Sequence, residues 1–464
     1  MKKISVIFGM IILCLSGCSN GTSSVSDTEI EYDNIQTDLE EESVQKLTLT
    51  DISVEGVYSD GCVWIYLSSN EYSGLDGIVN KDGEVIAAIP TKGYVNKEYK
   101  GHSKFKDGYA FLFFDTEIHV LDTNGDIIST QQLGEDRQLA AHGAGYIVIK
   151  NHVHDFDYNL YEYIFYNPQG EEVAKYNIPD DGKEHRVSYI GGGVFDIGVD
   201  DGHGTNDIYF SRVNKWVQNR ISPASGEDSS KLISSKWNNS SYITFGKSNK
   251  GILTSSEQGN GICIADTDGN ITEYPIEIND ITVVRNYSAF CDNYCLVVDE
   301  LDSGGGCCAS VLDLNTGFQT VLGDEYKVDI QGNAFYYGKG PAIYSDNNMF
   351  SIPLEGKDGK CYIGIFDVNC NLISDPIRID DWEHYSFSDE RLVVKQENDN
   401  VEVYSVDGQE IFTLNGSYKD QPGYSDGVLV DVNSELENIG VYDLDGNKLY
   451  SRLDTADTKI LFEE

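Results

Sequence analysis

One short pattern recurs along the chain and constrains its fold more than any other feature. It is an Asp or Asn, one residue, a polar residue, Gly, and then an aliphatic pair. "NKDGEVI" places it at Gly83, "DTNGDII" at Gly125, "NPQGEEV" at Gly170 and "DTDGNIT" at Gly269. "DLNTGFQTV" places it at Gly317, "SVDGQEI" at Gly408 and "DLDGNKL" at Gly446. Two weaker copies fill the gaps: "SRVNKWV" near Asn214, and "DVNCNLI" with Cys370 in the glycine slot. The steps run from roughly 38 to 55 residues. A period in this range means a propeller, a solenoid or an array.

Each copy sits between aliphatic and aromatic runs of period-two character, such as "IHVLD", "VEVYSV" and "GVYDL". That is strand, turn, strand. An Asp-Gly or Asn-Gly pair between such runs is a strong hairpin signal, because Gly takes positive φ without steric cost and Asp or Asn bonds its own backbone two residues on. Gly83, Gly125, Gly170, Gly269, Gly408 and Gly446 are therefore expected to be structural turns. A further strand precedes each hairpin, as in "FKDGYAFLFF", "AGYIVIK" and "DERLVVKQ". No twelve-residue window carries a helical stripe. Three to four strands per unit without helices predict an all-β fold, a β-propeller. Nine motifs set against the four to eight blades of most propellers predict about eight, within seven to nine, with one unit split or merged.

The segment "YSDGVLVDVNSELENIGVYDLDGNKLY" resembles the WG-repeat pattern, as do "YSDGCVWIYLSSNEYSGLDGIVNKDGEVI" and "FKDGYAFLFFDTEIHVLDTNGDII". The shared elements are an aromatic, Asp-Gly, an apolar strand, a polar turn, then Gly-aliphatic-x-Asp-x-x-Gly. The tryptophan that names the family is absent before Gly77 and Gly440. The resemblance implies a repeat β-protein of the kind found on bacterial surfaces, and no catalytic residues.

The N-terminus sets the compartment. Lys2 and Lys3 precede "ISVIFGMIILCL", an apolar run too short to remain across a bilayer, which reads as a signal peptide. It ends in "LSGC", which resembles the lipobox of bacterial lipoproteins; the resemblance implies lipidation of Cys18 after removal of residues 1–17. Two acyl chains anchor firmly where one is marginal. Residues 19–45 are rich in Ser, Thr, Asp and Glu and hold no Lys, Arg or Pro. Such a stretch cannot bury enough surface to fold. The expected organisation is a signal over 1–17, a lipidated Cys18 with an acidic linker to 47, and a repeat domain over 48–464. The expected location is the extracytoplasmic face of the cell membrane, held by the lipid.

A formal net charge of −44 repels phosphates, so nucleic acid is excluded as a partner. Basic peptides, proteins and uncharged glycans fit. Eight cysteines lie beyond Cys18, an even number that permits disulfides outside the cytoplasm. The local options are Cys361 with Cys370, and Cys291 or Cys295 with Cys307 or Cys308. The alternative is free thiols.

Candidate sites are few. Asp266, Asp268 and Asn270, and Asp443, Asp445 and Asn447, are the best placed to hold a weak calcium, though a calcium site needs about six to eight oxygens and no bidentate Glu follows. No other cofactor is expected. "NHVHDFD" offers His152, His154, Asp155 and Asp157; "GVDDGHGTND" offers Asp200, Asp201, His203 and Asp207; "DWEHYS" offers Asp381, Glu383 and His384. Each also reads as a solvated loop. No G-x-S-x-G, H-E-x-x-H or phosphate loop is present. The sequence thus predicts no catalytic residue and favours a binding module. The alternatives are a glycan-active hydrolase or lyase and a structural component of an envelope complex. The irregular segments around 151–160, 198–207 and 301–308 are the expected recognition loops.

Overall fold

The computed structural model describes residues 44–462 except 55–57, 92–97, 155–158, 180–184, 200–206, 219–231, 235–249, 256–260, 276–289, 292, 301–306, 324–326, 331–332, 338–343, 382–383, 399, 416–422, 434–437 and 451–454. Cys18 and the LSGC segment lie outside the described residues. So do Asp155, Asp157, Asp200, Asp201, His203 and Glu383. The first described strand, Val44–Val54, starts inside the stretch read as linker, and Leu47 is fully buried.

The protein is all-β, and its described strands form nine sheets in chain order. Most are four-stranded antiparallel meanders, as at 99–132, 137–179, 385–414 and 424–450. The nine-unit count stands at the upper end of the expected range. Each of the two weak copies is a turn of its own sheet: Asn214 has φ 47° and Cys370 φ 62°. Both occupy the left-handed conformation that Gly supplies elsewhere, a conformation Asn tolerates better than Cys.

Consecutive sheets pack face to face and the cycle closes. Trp64 and Ile78 of sheet one meet Ala110 and Leu112 of sheet two. Phe111 and Val120 meet Ile147 and Ile149 of sheet three. Phe165 and Tyr176 meet Phe195, Tyr209 and Trp216 of sheet four, and Val194 and Phe210 meet Ala265 of sheet five. The Tyr274 hydroxyl donates to the carbonyl of Leu314 in sheet six at 2.8 Å. Leu296 and Val311 pack on Phe350 and Leu354 of sheet seven. Ile363 and Ile365 pack on Phe387 and Leu392 of sheet eight, and Val393 and Val403 on Tyr424 and Leu429 of sheet nine. Val428, Val430 and Val441 return to Leu47 and Val63 of sheet one. Nine sheets in a closed cycle are a β-propeller.

This packing explains the residue patterns. A middle strand is covered on both faces, so Tyr109–Phe114 ("YAFLFF") is apolar throughout, with buried residues on both sides. An outer strand such as Ile127–Gln132 alternates half-buried with exposed residues.

Sheet one differs. Its four strands and the last strand of the chain, Thr455–Ile460, close into a small barrel. The last strand pairs antiparallel with Val44–Thr48 and parallel with Ala87–Ala88. Both ends of the folded chain thus meet in one sheet.

Cys62, Cys291, Cys295, Cys361 and Cys370 carry free thiols, which overturns the local disulfide options. Cys361 opens the strand Cys361–Asp367 and Cys370 lies in the turn beyond its far end. At about 3.3 Å per strand residue they stand about 20 Å apart, well beyond the roughly 7 Å a disulfide tolerates.

Candidate binding face

In every meander the first–second and third–fourth strand turns open on one face, and the second–third connection opens on the other. The two faces are built differently.

The tight-turn face is regular. In the third–fourth turn of sheet nine, Asp443 organises everything. The amides of Asp445 and Asn447 donate to its Oδ1 at 3.0 and 2.7 Å, and the side-chain amide of Asn447 donates to Oδ2 at 2.9 Å. Asp266 receives the same three bonds from Asp268 and Asn270 at 3.0, 2.8 and 2.8 Å. The best calcium candidates are thus turn carboxylates whose oxygens face their own N–H donors. These bonds hold the Asp443 carboxyl below its usual range, the Asn447 side chain contributing most. Among the described residues no group of three or more His, Cys, Asp or Glu side chains is placed to hold a metal. The six turn glycines have φ between 68° and 82°.

The first–second turns form a belt around the inner rim. Asp60–Gly61, Asp107–Gly108 and Asp426–Gly427 each have two consecutive positive φ angles, as in type I′ turns. Most of the carboxylates at this rim reach the next sheet. Asp426 accepts from the Gly61 amide at 2.7 Å, Asp60 from Gly108 at 2.9 Å, and Asp389 from Gly427 at 2.9 Å. Asp346 accepts from Glu390 at 2.7 Å, and the Cys291 thiol sulfur from Asn348 at 2.8 Å. Sheet three has Ala144–Gly145 at this place and no side chain to offer. There the Tyr189 hydroxyl of sheet four donates to Asp107 of sheet two and accepts from the Gly193 amide at 3.2 Å. Burial, then repulsion from Asp107 and Asp426, pushes the Asp60 carboxyl up, although its bond from Gly108 opposes this.

The opposite face carries the second–third connections. Its connection in sheet two is only 115–116, but those leaving His154, Val199, Ser255 and Glu300 enter segments outside the described residues. Between sheets six and seven a hairpin, Lys327–Ile330 with Asn333–Tyr337, is added to the strand Met349–Gly356 near its loop-face end. The three expected recognition segments all belong to second–third connections, so all open on this face. Residues 151–154 are strand rather than loop, paired from Asn151↔Glu162 to His154↔Asn159.

The described site residues sort clearly. His152 stacks on Tyr161 with centroids 4.8 Å apart, and Lys150 Nζ stands 4.0 Å over the same ring. Asp207 turns inward instead of toward the loop: it is fully buried and accepts from the Tyr176 hydroxyl. His384 Nδ1 lies 3.3 Å from Asp381, both half-exposed. A trio escaped the sequence reading, a buried pair capped by an exposed hydroxyl: His119 Nε2 lies 2.7 Å from Glu117 and its Nδ1 2.8 Å from the Thr130 hydroxyl. "EIHV" reads as ordinary strand alternation, and Thr130 sits on the neighbouring strand, so only the pairing reveals the trio.

No family model matches the chain, and no curated protein does. Solved structures do resemble it. A computationally designed protein, Ika8, is 13% identical and covers 87% of this chain and 100% of its own, with a TM-score of 0.35. BamB from Moraxella catarrhalis is 10% identical over 78% of this chain and 90% of its own, TM-score 0.31. Apo AztD from Citrobacter koseri is 10% identical over 72% and 91%, TM-score 0.34. Likeness at this level carries nothing about function.

Proposed function

We propose that the protein is a binding module on a β-propeller scaffold, held by a lipid on Cys18 at the extracytoplasmic face of the cell membrane. Recognition rests on the face that carries the second–third connections. The observation that supports this is the contrast between faces. One is a set of repeated tight turns whose polar groups satisfy one another. The other carries second–third connections of unequal length, about two to seven residues, and the added hairpin, on a scaffold fixed by the ring. Connecting loops on a rigid frame are where recognition resides. The partner is a basic peptide or protein, or an uncharged glycan, classes that a net charge of −44 does not repel.

Two measurements test the reading. Cys18→Ala should release the protein from the membrane fraction; unchanged fractionation refutes the anchor. A soluble form without residues 1–18 should bind on peptide or glycan arrays. Binding of a basic peptide should fall with Asp115→Ala and Asp358→Ala, exposed carboxylates in loop-face connections, and survive Asp82→Ala on the turn face. Retention of binding by both loop-face variants with loss in the turn-face variant would reverse the assignment. Turnover of a glycan substrate, abolished by changing one carboxylate, would replace the module by an enzyme.

A further inference from the structure

We draw no further inference here: the strongest candidate, the ring of turn carboxylates Asp60, Asp107, Asp346, Asp389 and Asp426 on the inner rim of the tight-turn face, is a cluster of acidic side chains already engaged by neighbouring sheets, and nothing among the described residues points to a ligand there.

Discussion

Asn447 and its counterparts show why the repeated turn tolerates change. In three turns that begin with Asp the fifth residue is Asn, and its amide donates to the carboxylate: Asp266 with Asn270, Asp367 with Asn371, Asp443 with Asn447. In the Asp122 turn the fifth residue is Asp126, and the Asn124 amide at the third place donates instead. Where the first is Asn, the fifth is Glu, and the bond reverses: Asn80 donates to Glu84 and Asn167 to Glu171, each at 2.9 Å. Either pairing leaves Oδ1 of the first residue free to accept two backbone amides. Asn447→Asp should therefore lower the melting temperature by setting two carboxylates together. Asp443→Asn combined with Asn447→Glu should restore the pairing in the reverse sense, a coupling that a double-mutant cycle with its two single variants reads directly. Equal melting temperatures for Asn447→Asp and parent would refute the pairing. The pH dependence follows from the same bonds. The folded carboxyls of Asp443 and Asp313 titrate below the usual range, Asp313 chiefly through the Asn315 amide. Their contribution is fully present above the unfolded value of about 3.9 and is lost as pH falls through the lower folded values. Asp313→Asn should flatten the acid limb of a stability–pH curve, and an unaltered limb would count against it.

At the scale of the element, the belt depends on one substitution of means. Tyr189 reaches across sheet three because Gly143 leaves room: a Cβ there would stand 2.2 Å from the Tyr189 ring. Gly143→Ala must displace that ring or the strand, and should cost about 1–3 kcal/mol, the usual range for overpacking. Tyr189→Phe keeps the packing but leaves Asp107 and the Gly193 amide without this bridge. It should destabilise less, by about 0.5–1.5 kcal/mol, the usual net worth of a hydrogen bond. Thermal melts of the two variants check the order; a Gly143→Ala protein as stable as its parent would mean the ring does not cross there. These contacts also mark how far the sequence could be read. The turns were legible because positive φ is a local demand that Asp-Gly and Asn-Gly announce. The pattern "YSDG" was visible as well, but not the partner of its aspartate. Gly61 and Asp426 lie 365 residues apart, and Asp60 and Gly108 lie 48 apart. Nothing in either segment encodes which neighbour it meets. The candidate face was legible only as three segments between strand patterns; that they share one side follows from strand order, which local patterning does not carry.

At the scale of the molecule, closure depends on the last eight described residues. A ring of sheets would be a strip with two frayed ends were its first and last members not joined. Here the join is made twice. Sheet nine packs on sheet one through Val428, Val430 and Val441. Then the terminal strand Thr455–Ile460 enters the barrel of sheet one and continues past it onto sheet two. Lys459 bonds Asp126 at 2.9 Å, Leu461 is buried and its amide donates to Ala88 at 2.9 Å. Phe462 meets Phe114 at 5.1 Å and His119 at 4.7 Å between ring centroids. The clasp is mostly apolar, since Lys459 and Asp126 form a partly exposed pair worth about 1 kcal/mol or less. Lys459→Ala should therefore change stability little, whereas Leu461→Asp places a charge in an apolar seat and should cost several kcal/mol. A chain ending at 454 loses both edges of the terminal strand at once. It should unfold at lower temperature and lose protection from hydrogen exchange first in Val44–Thr48 and Val85–Pro90, the strands it paired with. If those strands kept the protection of the full chain while the distant sheets six to eight lost theirs, the ring would not be closed at sheet one.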